Sequence, residues 1–135
     1  MTVRPALPTD RDAALAMMAK LWPDENVFEF APETFFVWEN EDHTLGGFSE
    51  YSLRPFVDGC DSAPCPHVEG WWVEPELRGQ GIGRRLIAAI EDLARARGFT
   101  ELGSDALLSN RLSLAAHAGI GFEPTEQLQY FRKTL

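Results

Sequence analysis

The chain has 135 residues, 44% of them apolar and 24% charged, the proportions of one soluble globular domain with a core of its own. A formal net charge of −9 argues against nucleic acid, whose phosphates need a basic surface, and favours a cationic partner. No apolar run nears the ~20 residues of a membrane span, and the opening MTVRPALPTDRD lacks the apolar stretch of a secretory signal, so the expectation is a cytoplasmic protein with no membrane partner.

In chain order, Thr9 or Asp10 is placed to start a helix. Leu15, Met18, Leu21 and Trp22 then recur at helical spacing until Pro23. Residues 24–33 (DENVFEFAPE) are acidic and irregular. TFFVWE (34–39) reads as a strand, NEDHT as a turn and LGGFSEYSL (45–53) as its hairpin partner. Residues 54–66 carry three prolines and read as a loop, and HVEGWWVE (67–74) reads as a strand ended by Pro75. A helix is predicted after Gly83, with Leu86, Ile87, Ile90, Leu93 and Ala94 on one face and Gly98 as its stop. FTELGSD (99–105) predicts a short strand, Asn110 to Ala118 a helix, and residues 121–135 a turn and a closing strand. The pattern is one α/β (α+β) domain over residues 1–135, a mixed and mostly antiparallel sheet flanked by helices.

Cys60 and Cys65 lie close to His67, but a structural zinc site takes four ligands and no second Cys/His pair follows. Free thiols and no metal are the expectation.

The segment RGQGIGRRL (78–86) sets three glycines at alternate positions between arginines, ahead of a helix. A strand, a glycine loop and a helix start make an anion site: the first amides of the helix are free, and its dipole adds partial positive charge. Arg78, Arg84 and Arg85 add to that charge. A P-loop requires GxxxxGK[ST], and here Gly83 is followed by two arginines. A dinucleotide fingerprint requires GxGxxG, and GQGIG is one residue short, although Asp105 sits about where a ribose-binding acid would. A nucleotide module and a purely structural glycine turn stay open at this point.

RGQGIG also fits R/Q-x-x-G-x-G/A, and with WWVEPELRGQGIGRRLI and SNRLSLAAHAGIGF the chain resembles the GNAT superfamily of N-acetyltransferases. The resemblance implies the GNAT fold and acetyl-CoA as cosubstrate. It implies cofactor contacts at Trp71, Trp72, Val73, Arg78, Gly79, Gln80, Gly81, Ile82, Gly83, Arg84, Asn110 and His117. His117 stands where the family often has a tyrosine that protonates the leaving thiolate.

Four stretches, LWP (21–23), DGCDS (58–62), VEGWWV (68–73) and SD…N…H…GFE…E…YFRK (104–133), resemble the aminoglycoside 6′-N-acetyltransferases in order. That resemblance implies a substrate site bordered by Trp22, Glu69 and Asp105, with Phe56 where a tyrosine can sit. Segment 24–33 is shorter than the second helix usual in that subgroup. Strand alternation predicts Glu69 and Trp71 on one face. An aminoglycoside is polycationic, which agrees with an acidic cleft.

The expected chemistry is direct acetyl transfer in a ternary complex. Neutralising a lysine-like amine at pH 7 costs roughly 4 kcal/mol, so a base is needed: Asp105 through water, with Glu69 as rival. Backbone N–H groups near Val73 are expected to polarise the thioester carbonyl, and His117 to contribute modestly as acid. The alternatives are a GNAT enzyme for another amine (polyamine, amino acid or protein), a module that binds CoA without transfer, and a nucleotide-binding module. A homodimer, with YFRK in its interface, is a further expectation from the resemblance.

Overall fold

The computed structural model describes residues 2–135. Four antiparallel strands in the order β1-β2-β3-β4 form its sheet: β1 (Thr2–Pro5), β2 (Phe35–Glu39), β3 (Leu45–Arg54) and β4 (Cys65–Val73). Three helices follow the sequence pattern: α1 (Arg11–Leu21), α2 (Ile82–Ala96) and α3 (Arg111–Gly119).

Alternation along the strands builds two cores, one per face. Phe35, Val37 and Phe48 meet Ala14, Met17 and Met18 of α1. Trp38 and Val73 meet Ile82 and Leu86 of α2, and Val68 meets Ile87 and Ile90 further along it. Each fully buried aliphatic of α2 contributes about 1.5–3 kcal/mol, which is why its apolar stripe seats so firmly.

The expected mixed α/β architecture is present, with differences at its ends. β1 is too short for the sequence pattern to announce: it has only four residues and takes its place by pairing Val3 with Trp38 of β2. Asp10 does not cap α1 through its side chain. It accepts from the Leu7 N–H at 2.7 Å and from Arg4 at 2.8 and 3.0 Å, tying β1 to the helix start. β4 begins at Cys65, and α2 begins at Ile82, so Gly83 lies inside its first turn.

The strand expected over 99–105 is reduced to one parallel bridge between His67 and Gly103, held by Val68 N–H to Gly103 O and Gly103 N–H to Pro66 O, each 2.9 Å. The closing strand over 121–135 does not form. A strand exists only against an edge, and the strand expected over 99–105, beside which residues 121–135 would pair, is itself reduced to the single bridge at Gly103. Leu128, Tyr130 and Phe131 of this terminal segment stay exposed. Residues 24–33 form no α-helix; instead Phe28 stacks on Trp22, and Phe30 packs on Phe35.

Candidate functional site

The site begins at the glycine loop. Gly79 and Gly81 both take φ of +81°, a conformation that side chains resist, and nothing lies within 4 Å of where their Cβ atoms would be. Gly81 is the residue before α2, and the first helical bond of that turn runs from Arg85 N–H to Gly81 O. The amides of Ile82, Gly83 and Arg84 are therefore unclaimed by the helix and open toward its positive end. This is the anion cradle the sequence implies.

The arginines around it are already engaged. Arg78 donates Nε–H to Val73 O at 2.9 Å and lies 4.8 Å over the Trp72 ring. Arg84 donates to Gly119 O at 2.8 Å, and Arg85 lies 5.7 Å over Trp38. They brace the loop as well as charge it. The Asn110 side chain accepts from Ser113 N–H at 3.1 Å and so caps α3.

Beside the cradle, β4 has an open edge. Glu74 N–H bonds Gly46 O at 2.8 Å. Alternation along the antiparallel ladder then turns the N–H groups of Val73 and Trp71 away from β3. Gly103 closes the outer edge lower down, at Pro66 and Val68 only. Among the described residues, no backbone hydrogen bond takes the outward amides of Trp71 and Val73.

A β-bulge decides what faces the acceptor side. The β3–β4 register pairs Glu50 with Gly70 but Tyr51 with Val68, so Glu69 is the extra residue. The expectation that Glu69 and Trp71 share a face is corrected by this bulge. Trp71 turns toward α2, donating its indole N–H to Gly83 O at 3.1 Å. Glu69 turns to the opposite face, where it accepts from Ser52 at 2.5 Å and from Arg54 at 2.7 Å through both oxygens. Trp22 is on this face as well, packed over Gly70, where a Cβ would come within 2.8 Å of its ring.

Glu50, Ser52 and Arg54 of β3 and His67 and Glu69 of β4 thus form a polar extension of the α1 face. Burial pushes the Glu69 carboxyl up, but the hydrogen bonds from Arg54 and Ser52 outweigh it and hold it below the usual range. Glu50, half-buried, has no such partner; burial, reinforced by the Glu69 charge, raises it to about 7. Asp105 reaches the same face with a side chain 77% exposed, its Oδ2 3.6 Å from His67 Nε2. Phe56 is not brought in: it lies in the loop after β3, 68% exposed.

His117 packs edge-on against Trp71 and Phe122. Its Nδ1 is 2.7 Å from Ser113 O and its Nε2 2.7 Å from Ser104 Oγ. A carbonyl only accepts, so Nδ1 carries a hydrogen; Nε2 accepts from the Ser104 hydroxyl in the neutral ring and donates to it in the charged one.

Sequence reasoning missed Arg54, Ser52, Glu50 and Ser104, and considered His67 only as a metal ligand. Alternation of Glu50, Ser52 and Arg54 is the available signal for a polar strand face; Ser104 stands in the SD of the 104–133 stretch, which gives it no role of its own. Cys60 and Cys65 are free thiols.

An α/β sheet opened along one edge beside an amide-lined helix start is the arrangement these residues define. A family model described as the acetyltransferase (GNAT) family matches residues 8–122, and the chain belongs to that family. It is 38% identical to the aminoglycoside N(6′)-acetyltransferase type 1 of Klebsiella aerogenes, over 98% of this chain and 96% of that protein. Its fold superposes with a TM-score of 0.87 on AAC(6′)-Iy in complex with a CoA-containing bisubstrate analogue, at 28% identity, covering 99% of this chain and 98% of that one. The aminoglycoside antibiotic 6′-N-acetyltransferase AAC(6′)-Ih from Acinetobacter baumannii is similar to the same degree, with a TM-score of 0.87 and 29% identity over 99% and 98% of the two chains.

Proposed function

We propose that this chain transfers the acetyl group of acetyl-CoA to the 6′-amine of an aminoglycoside, by direct transfer in a ternary complex. The observation that carries the reading is the pairing of two surfaces: free amides over 79–84 beside the open edge of β4, and carboxylates at Glu50, Glu69 and Asp105 on the acceptor side. The first surface suits a pyrophosphate, and the second suits ammonium groups. The named relatives and solved neighbours act on this substrate class, which supports the assignment.

In this reading Ile82, Gly83 and Arg84 bind the diphosphate through their amides, and the Val73 N–H polarises the thioester carbonyl. Glu69, kept ionised by Arg54, anchors an ammonium. Asp105 takes the proton of the attacking amine through water as the C–N bond forms. As the C–S bond breaks, His117 in its doubly protonated form passes its Nε2 proton to the Ser104 hydroxyl, which passes its own to the thiolate. A thiol leaves with a pKa of about 8.5, so this last assistance is modest. Trp22 forms an apolar wall beside Gly70.

The exposed terminal segment carrying Leu128, Tyr130 and Phe131 supports a homodimer in which a second copy supplies the missing edge. Free thiols at Cys60 and Cys65 fit a reducing compartment, and the reading places the protein in the cytoplasm, without membrane or nucleic-acid partners.

Calorimetric titration with acetyl-CoA, then with a kanamycin-type aminoglycoside while thiol release is followed, tests the proposal. Binding of both and stoichiometric thiol release are expected. Absence of affinity for any form of coenzyme A sinks it. Release with polyamines, amino acids or protein amines, and none with aminoglycosides, moves the assignment to another acceptor.

A further inference from the structure

His67 sits on β4 with a side chain only 3% exposed, wedged between the two carboxylates that compete for the role of base. Its Nδ1 lies 3.3 Å from Glu69 Oε1, off the line of a full hydrogen bond, and its Nε2 lies 3.6 Å from Asp105 Oδ2. Gly103 packs beside the ring, where a Cβ would stand 3.4 Å from Cδ2. The charged groups facing the ring are Arg54, Glu69 and Asp105. Burial, then Arg54, push the imidazole below its ordinary range against the opposing pull of the two carboxylates, so it is neutral near pH 7.

A neutral imidazole carries one N–H and one lone pair. Glu69 is held ionised by Ser52 and Arg54, and an ionised carboxylate only accepts. The single imidazole hydrogen therefore belongs on Nδ1, at the shorter of the two contacts. Nε2 then presents a lone pair to Asp105. An ionised Asp105 gains nothing from that lone pair, but a protonated Asp105 donates its O–H to it.

We propose that His67 is a positioning residue that makes Asp105, and not Glu69, the proton acceptor of the reaction, through the bond that protonated Asp105 makes to Nε2. The inference rests on the transferase reading above. The balance is simple: the amine nitrogen forms its bond to the acetyl carbon and loses a proton, the Asp105 carboxylate gains it, and the new O–H is shared with His67 Nε2. Glu69 is the weaker proton acceptor, because the bonds from Ser52 and Arg54 hold it ionised. Two carboxylates on one face are thereby given different tasks by one buried ring.

The tautomer of His67 in the wild-type protein, read by long-range nitrogen-15 NMR at pH 7, tests the idea without any turnover. The Nδ1–H form is expected; an Nε2–H form overturns the inference, because His67 would then donate to ionised Asp105 and weaken it as a base. The second measurement is the pH profile of thiol release with an aminoglycoside in His67→Phe, which keeps a ring in the buried site. The expected result is a kcat lower by on the order of 10-fold, part of a general-base contribution, with the acid limb moved to lower pH and the KM for acetyl-CoA unchanged. A loss of kcat with an unmoved acid limb marks a merely structural role and overturns the inference. Absence of thiol release by the wild type on any amine sinks the transferase reading, while the tautomer still decides the state of His67.

Discussion

Trp71 donates its indole N–H to the carbonyl of Gly83 at 3.1 Å, and the bare Cα of Gly83 lets the ring lie against it. This contact fastens β4 to the first turn of α2, so the open strand edge and the amide cradle keep one geometry. Trp71→Phe removes the hydrogen bond and keeps most of the packing. The expected cost is about 1 kcal/mol of stability, seen in urea unfolding, with a weaker grip on acetyl-CoA seen in calorimetry. Gly81→Ala is expected to cost a similar ~1 kcal/mol for a different reason: φ is +81° there, although no atom obstructs a Cβ. Wild-type stability in Gly81→Ala contradicts the strained turn.

Arg54 grips both oxygens of Glu69 at 2.7 Å. The Glu69 carboxyl lies below its ordinary 4.5 because these bonds outweigh burial. A depressed carboxyl contributes stability that is present above its unfolded value and lost as pH falls through the folded one. Arg54→Met is therefore expected to lower stability by about 1 kcal/mol at pH 7, discounted for the solvent that reaches both groups, and by progressively less below pH 4.5. Equal loss at pH 3 and pH 7, in parallel denaturation curves, contradicts the ion pair as its source.

Glu50 behaves in the opposite sense. Burial and the neighbouring Glu69 raise it from 4.5 to about 7, so the folded protein holds a proton that the unfolded chain releases. Its contribution is full below pH 4.5 and is lost as pH rises through about 7. Glu50→Gln is expected to remove this slope and to be the more stable protein at pH 8, by up to about 1 kcal/mol after allowance for solvent screening. A bound aminoglycoside favours the charged form, so its affinity in the wild type is expected to rise from pH 6 to pH 8 more than in Glu50→Gln. Identical pH dependence in the two proteins removes Glu50 from the acceptor face.

Asp10 joins β1, the turn before α1 and Arg4 through three hydrogen bonds. The Arg4 hydrogen bond is the main reason its carboxyl lies below 3.8. Asp10→Asn is expected to cost about 1.5–3 kcal/mol, the range for hydrogen bonds to a charged group. The difference from wild type should shrink as pH falls below 3.8. Thermal unfolding at pH 7 and pH 3 measures it, and an unchanged midpoint at pH 7 contradicts the anchoring role.

The helices, the hairpin and the anion cradle are legible in the chain before it folds, because each is written in local terms. Leu86, Ile87 and Ile90 repeat at helical spacing, the prolines and glycines punctuate, and alternate glycines before a helix leave its amides bare. Composition and charge also pointed to a cationic partner. Tertiary structure alone decided how the acidic residues divide their tasks. The bulge at Glu69 is a mismatch between two strands, visible in neither one separately, and it reverses the face that alternation predicts. Burial of His67, the grip of Arg54 on Glu69 and the isolation of Glu50 each depend on residues 15 to 38 positions apart meeting on one sheet face. The short edge strand β1 and the unpaired terminal segment have the same cause: a strand is made by its partner, and four or five residues of favourable pattern do not say whether a partner is there.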